Sequence, residues 1–178
     1  KQSIDENDSL NLSIENVFKK QKIKYIKYPF DINGSDERQF SSVGFRINTP
    51  LITKDKFYEY PLYHSSQDNL DFVKPENIFK SLKLHIDVIA EFEDEIIFKN
   101  KKICEPLLSK YKLYPSLGGS HIPEDKKLDD TNIILWLCNL SDGHTTISQI
   151  VRKLNLPEQY IMNIAEMLCK KGILGRVK

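Results

Sequence analysis

The chain has 178 residues, enough for one or two small domains with a buried core. Apolar residues make up 40% and charged residues 29%, and the formal net charge is +1, which excludes a global attraction to nucleic acid or to an anionic membrane. No uncharged apolar run is long enough to read as a transmembrane helix, and Lys1-Gln2-Ser3-Ile4-Asp5 lacks the apolar stretch of a signal peptide. Because the chain starts at Lys1 and not at Met, it is expected to be processed or to be a piece of a longer product. Cys104, Cys138 and Cys169 are odd in number and unpaired in spacing, which argues against a disulfide framework and against a structural zinc site. Cys138 and Cys169 stand in apolar helical contexts and are expected to be buried thiols, and a reducing cytoplasm fits best.

In chain order, Leu10 to Lys20 reads as an amphipathic helix with Leu10, Ile14, Val17 and Phe18 on one face. Lys22 to Tyr28 alternates charged and apolar residues and predicts a half-buried strand that Pro29 ends. Asp31 to Asp36 is rich in turn formers. Ser42 to Thr53 carries apolar residues suited to a buried strand, interrupted by Pro50. After a polar loop, Pro75 is well placed in the first turn of a helix running to about Asp94. Ile78, Phe79, Leu82, Ile86, Ile89 and Phe92 form its expected inner face, packed on a sheet. This order of helices and strands predicts part of an α/β domain, here bounded at 1–112.

Cys104 to Asp130 is irregular and contains Pro106, Pro115, Gly118, Gly119 and Pro123, so 113–130 reads as a linker. A second unit, 131–178, follows. Asn132 to Leu140 is an apolar helix stopped by Asp142-Gly143. Thr146-Ile147-Ser148-Gln149 has the form of a capping box, in which hydroxyl and amide each satisfy a free N–H. That helix ends near Asn155, Pro157 opens another with Ile161, Ile164 and Leu168 inward, and Gly172 stops it. Ile173 to Val177 is a short strand, and three helices with a terminal β element make a winged-helix pattern.

Four histidines could carry chemistry. His85 reads as a packed or half-exposed helix residue, and His121 and His144 read as solvent-exposed. His64 follows Tyr60-Pro61-Leu62-Tyr63 and precedes Asp68 by four residues, in a loop before a long helix where binding residues concentrate. By spacing alone, a structural loop histidine and a metal ligand are equally good readings. Asp36-Glu37-Arg38 alone reads as a solvated charged turn. No His-Glu-x-x-His, Gly-x-Ser-x-Gly or Gly-rich phosphate loop is present.

Gly34-Ser35-Asp36-Glu37-Arg38-Gln39-Phe40 and Tyr60-Pro61-Leu62-Tyr63-His64-Ser65-Ser66-Gln67-Asp68-Asn69-Leu70-Asp71 together resemble a bacterial aminopeptidase-like family often linked to polysaccharide biosynthesis. Cys104-Glu105-Pro106, Leu113 to Gly118 and Trp136 to Gly143 share the resemblance, which covers nearly all of the chain from Tyr28 onward. It implies an α/β fold, the C-terminal portion of a zinc-exopeptidase-like domain of the leucyl aminopeptidase or glutamate carboxypeptidase type, followed by a small winged-helix domain. It also implies that His64 is a zinc ligand, that Tyr63 donates its hydroxyl to a tetrahedral intermediate, and that Asp68 orients His64. Asp36, Glu37 and Arg38 would then lie at the substrate cleft. The departure from the family is large. No histidine precedes His64, and a two-metal site needs several carboxylates and two histidines. Asp5 and Asp8 are the available substitutes but have no supporting motif.

The resemblance thus predicts part of a zinc metallopeptidase, a hydrolase of a peptide-like or amide substrate, completed by an upstream part of the same catalytic domain and inactive as this piece. A homo-oligomer is compatible with it. The rival reading is a non-catalytic winged-helix interaction or regulatory module. Nucleic-acid binding is disfavoured, because residues 129–178 hold six basic residues (Arg152, Lys153, Lys170, Lys171, Arg176, Lys178) against five acidic ones (Asp129, Asp130, Asp142, Glu158, Glu166).

Overall fold

The computed structural model describes residues 1–114 and 129–177, which fall into two compact units, Lys1–Asp94 and Glu95–Lys178. Together they combine helices with one small antiparallel sheet.

In the first unit, α1 spans Ser9–Lys20. The Asp8 carboxylate caps it by accepting from the Leu10 N–H at 2.9 Å, and Lys19 and Lys20 fall in the last turn, where cations oppose the helix dipole favourably. Its buried side includes Leu12, Val17 and Phe18, while Leu10 and Ile14 are half-buried. α2 is the single short turn Asp36–Phe40. α3 spans Pro75–Glu93, with Pro75 at its start where the missing N–H costs nothing. α3 packs on α1, and this contact is edged by Gln21 donating to Asp87 at 2.8 Å and by the Lys20–Glu91 ion pair at 2.5 Å.

Two expectations for this unit are corrected. Neither Lys22–Tyr28 nor Ser42–Thr53 forms a strand; among the described residues every strand belongs to the second unit. Periodicity makes a segment fit for a sheet, but a strand exists only where a neighbour exchanges backbone hydrogen bonds. Among the described residues, besides the local bonds of Ile23 to Phe18 and Ile47 to Phe40, these segments exchange backbone bonds through Gln2 N–H to the Tyr28 carbonyl and the reciprocal pair between Lys1 and Leu51. Ser42 to Arg46 turns back on itself instead, with Arg46 at φ +51°. The second correction concerns α3. Only Val88 is buried on it, whereas Ile78, Phe79, Leu82, Ile86 and Ile89 are all more than half exposed, because this unit has no strands to lie beneath them among the described residues.

The second unit closes its own core. β1 (Ile97–Asn100) is the centre of a three-stranded antiparallel sheet, between β2 (Asp142–Thr146) and β3 (Leu174–Arg176). Around it lie a 3-10 turn at Leu108–Tyr111 and the helices α4 (Asp130–Leu140), α5 (Ile147–Leu154) and α6 (Glu158–Lys170). Ile133, Leu137, Ile161, Leu168, Ile173 and Leu174 are out of contact with water, and Phe98 and Leu108 join the same cluster. The capping box is as predicted. The Thr146 hydroxyl accepts from Gln149 N–H at 3.3 Å, and the Gln149 side chain accepts from Thr146 N–H at 2.9 Å. Asn155 takes the left-handed C-cap of α5, and Gly172 at φ +68° ends α6.

Residues 95–112, read from sequence as the end of the first domain, sit in the second unit. Phe98, Leu108 and Leu113 pack in its core, and β1 bonds to both of the other strands. The units therefore divide at Asp94/Glu95. Most of the 113–130 linker lies outside the described residues. β1 escaped the sequence reading because Ile97-Phe98-Lys99-Asn100 is too short to show alternation, and Asp142-Gly143 looked like a stop when it is the start of β2. Of the thiols, Cys138 is buried, Cys169 half-buried and Cys104 exposed.

Two outcomes follow. Ile161→Ala should lower the stability of the second unit by about 2–5 kcal/mol, read by the fluorescence of Trp136, the single tryptophan, during denaturant unfolding. Ile86→Ala should change the far-UV circular dichroism transition by only a few tenths of a kcal/mol, ~0.5 at most.

A third outcome concerns Glu95, which is buried beside the first turn of α5. Burial pushes its carboxyl above the usual carboxylate range, against hydrogen bonds from Ser148 and Thr146 that pull it down. The folded state therefore holds this proton to higher pH than the unfolded chain does. The stability it contributes is complete below the unfolded carboxyl value and is lost as pH rises through the folded one. Glu95→Gln should flatten the pH dependence of the second unit's melting temperature in that mildly acidic window.

Candidate functional site

The first group of sequence-predicted residues is set by the turn before α2. Gly34 leaves space that a side chain would close, since a Cβ there would lie 2.0 Å from Glu37 Oε1. Into that space Glu37 folds back, 4% exposed, and accepts from the Ser35 N–H at 3.1 Å. Its partner is Lys1, whose Nζ stands 2.9 Å from Glu37 Oε1 and also donates to the Asn33 carbonyl at 2.7 Å. Burial tends to raise the Glu37 carboxyl, but the hydrogen bonds from Lys1 and Ser35 outweigh it and hold the group below its ordinary value. Glu37 is thus in a buried ion pair that staples the 31–37 turn. Asp36 and Arg38 are exposed on α2. Asp36 accepts from the Ser35 hydroxyl at 3.4 Å, and Arg38 donates to the Ile32 carbonyl at 3.4 Å.

The second group lies on a run of consecutive turns between Phe57 and Val73. Backbone bonds from Tyr63 to Tyr60, Ser65 to Leu62 and Asp68 to Ser65 wind it tightly. Tyr58 at φ +68° and His64 at φ +54° take the left-handed conformation that non-glycine residues seldom adopt. Tyr63 is the hub of an aromatic cluster, with ring centroids 4.7 Å from Tyr58, 5.5 Å from Tyr60 and 6.3 Å from Phe57. The His64 imidazole stacks on it almost parallel, at 4.1 Å and 12°, and lies 6.3 Å from Tyr58. The crowding of these rings, and then Tyr58, hold the Tyr63 hydroxyl above its ordinary value. Asp68 accepts from the Tyr60 hydroxyl at 3.2 Å, and no hydrogen bond joins it to His64 among the described residues. Sequence reasoning missed Phe57, Tyr58 and Phe72 as members of this cluster. The signal was there, in the aromatic density of Phe57-Tyr58-Glu59-Tyr60-Pro61-Leu62-Tyr63.

The structure thus brings Tyr63 and His64 into direct contact and ties Asp68 to them through Tyr60. It joins neither to α2 by any hydrogen bond, ion pair or ring contact among the described residues. Asp8 is committed to capping α1 and to Asn48, and Asp5 to the Asn7 N–H. His85 is exposed with Nδ1 2.7 Å from the Ser81 carbonyl, His144 is exposed, and His121 lies outside the described residues. No group of three or more His, Cys, Asp or Glu side chains among the described residues could hold a metal ion. The donors present therefore do not fit a complete zinc site, and His64 stands as a single candidate ligand.

In the second unit, a cleft of about 360 Å³ is lined by Lys99, Lys102, Cys104, Cys138, Ser141 and Asp142, among others. Burial, and then Glu105, push the Cys138 thiol up to about 11, so it is no nucleophile at neutral pH. No helix among the described residues is long and apolar enough to cross a membrane.

Comparison with known proteins agrees with this division. Residues 96–176 match a winged helix-turn-helix family. A Clostridium acetobutylicum protein, provisionally named a polysaccharide biosynthesis protein with an aminopeptidase-like domain, is 31% identical over 145 residues, 81% of this chain and 32% of its own length. A crystal structure from the same organism, provisionally described as a peptidase, aligns with 99% of this chain and 38% of its own, at TM-score 0.50 and 24% identity, a likeness of fold alone. The chain thus spans about a third of the longer proteins it matches. Residues 1–95, just over half of the chain, match a family described as a domain of unknown function, DUF4910, and the chain belongs to that family.

Proposed function

We propose that this chain is the histidine-bearing part of an aminopeptidase-like zinc hydrolase, acting on a peptide or amide bond and completed by polypeptide beyond these residues. The observation that carries the reading is the parallel stack of His64 on Tyr63 within the aromatic cluster. Stacking occupies a face of the imidazole and leaves its edge free, and the nitrogen lone pair that binds a metal lies in the ring plane at that edge. A ring held this way is presented without a further ordering cost. The aminopeptidase-like name of the C. acetobutylicum relative points the same way.

In this reading His64 supplies one zinc ligand, and zinc, when bound, would polarise the scissile carbonyl. Because three protein ligands and a water are the usual minimum, and no cluster of such side chains stands among the described residues, the other ligands in this reading come from the polypeptide that completes the domain. Tyr63 fixes the imidazole plane, and its hydroxyl, protonated at neutral pH and hydrogen-bonded with Tyr58, would turn from that partner to donate to a developing oxyanion. Asp68 reaches the pair by way of Tyr60 and acts as a support. Asp36 and Arg38, exposed on α2, are the side chains available to a substrate cleft, and Glu37 holds their turn. The winged-helix unit serves packing or oligomerisation in this scheme, in the reducing cytoplasm.

The test is metal content. The 178-residue chain should bind zinc no better than a surface histidine does. The same chain joined to the remaining segment of its longer relative should retain zinc through purification. His64→Ala in that longer polypeptide should remove at least one zinc equivalent and abolish hydrolysis while leaving the circular dichroism spectrum intact. Equal zinc in both proteins would reduce His64 to a structural loop residue.

A further inference from the structure

α3 presents two apolar faces in different directions. One carries Val88, buried, toward α1. The other is the stripe Ile78, Leu82, Ile86 and Ile89, spaced by four, four and three residues and so aligned along one side of the helix. Each residue of the stripe is 54–61% exposed, and Phe79 beside them is 71% exposed. The stripe contains no charged residue over its three turns. That is an expensive surface to leave in water, at roughly 25 cal/mol per Å², and patches of this kind mark interaction sites.

A second observation specifies the partner. Residues 24–27 make no backbone hydrogen bond among the described residues, so the segment that alternates like a strand offers an open edge. Its start is fixed to α3, since Gln21 donates to Asp87 at 2.8 Å. The other strand-like segment, 42–53, ends at α3 as well, since Lys54 Nζ donates to the Asn77 carbonyl at 2.9 Å. Both segments are therefore anchored to the helix whose apolar face is bare. A sheet that paired with them would lie beside α3, and an apolar helix stripe on a sheet face is one of the few stable ways to bury both. The longer relatives carry about twice as much additional chain as this one matches, ample for such a sheet.

We infer that the Ile78/Leu82/Ile86/Ile89 stripe and the 24–27 edge form one docking surface for a layer of β-strands, supplied by the polypeptide that accompanies this fold in its longer relatives. The inference rests on the aminopeptidase-like reading for the identity of that polypeptide, but its test reads burial and not activity.

Leu82→Cys, made in a Cys104→Ser background to remove the exposed native thiol, is labelled with a thiol reagent. In the 178-residue chain it should react at the rate of a free cysteine. Joined in one polypeptide to the segment of the C. acetobutylicum relative that this chain does not match, it should react at least tenfold more slowly. Ile78→Cys provides a second reporter should Leu82→Cys misfold. Undiminished reactivity in the longer polypeptide overturns the inference. So does protection in the 178-residue chain alone, whether it rises with concentration, which would mean a second copy, or does not, which would mean covering from within the chain. Protection without zinc retention or hydrolysis would sink the hydrolase reading and leave this surface standing. Hydrolysis with an open Leu82→Cys would do the reverse.

Discussion

An amphipathic helix stabilises a fold only if something takes its apolar face out of water, and the two units of this chain differ in whether that condition is met. In the second unit α4 and α6 press Ile133, Leu137, Ile161 and Leu168 against each other and against Ile173 and Leu174, all essentially without solvent contact. β1 supplies the hydrogen bonds that join β2 and β3 beneath them. In the first unit α1 and α3 share one seam, and the remaining apolar side of α3 is bare. Conformational entropy opposes both units at about 1–2 kcal/mol per residue, so the unit with less burial has less to set against it.

The same condition decides what could be read from the sequence. Local chemistry was legible wherever the determinant is local. The Thr146–Gln149 box, the Pro75 start of α3, the Pro157 opening of α6 and the Gly172 stop all depend on groups within a few residues, and all are found. The winged-helix pattern was legible for the same reason. What failed was every feature that needs a distant partner. Lys22–Tyr28 has the composition of a strand but meets a distant neighbour's backbone at one point, where the Tyr28 carbonyl accepts from Gln2 N–H. Ile86 sits on a helix face with the right period but nothing to cover it. β1 has almost no pattern of its own and is a strand only because β2 and β3, more than forty and seventy positions later, bond to its two edges.

The candidate site divides along the same line. Tyr63 and His64 are adjacent in sequence, so the turn that places them could be anticipated, and the ring stack follows from it. Glu37 read as part of an exposed charged turn, yet it is buried against Lys1, thirty-six positions away, a pairing that no local pattern signals. Gly34 was in fact the clue: a residue with no Cβ, three positions before a carboxylate, leaves the space into which that carboxylate folds. Asp68, expected to orient His64, instead meets Tyr60, which the intervening turns bring nearer.

The winged-helix unit shows how little a fold says about function when the surface chemistry points elsewhere. A helix that enters a groove of DNA needs basic or amide side chains at its leading end and cations along its flanks. α6 instead begins with Glu158 and carries Glu166 outward, and its Tyr160 hydroxyl is taken by Asp130. Lys153 of α5 lies over the Trp136 ring at 5.2 Å, where its charge faces an aromatic surface. Over residues 129–178, which hold α4 to α6, six basic residues stand against five acidic ones, so counterion release, the main source of affinity for a nucleic-acid backbone, has little to work with at these helices; the whole unit 95–178 carries thirteen against nine. What the unit does possess is a closed core of its own, directly continuous in sequence with α3. A closed core of this kind accounts for the fold and leaves the function to the chemistry of the surface.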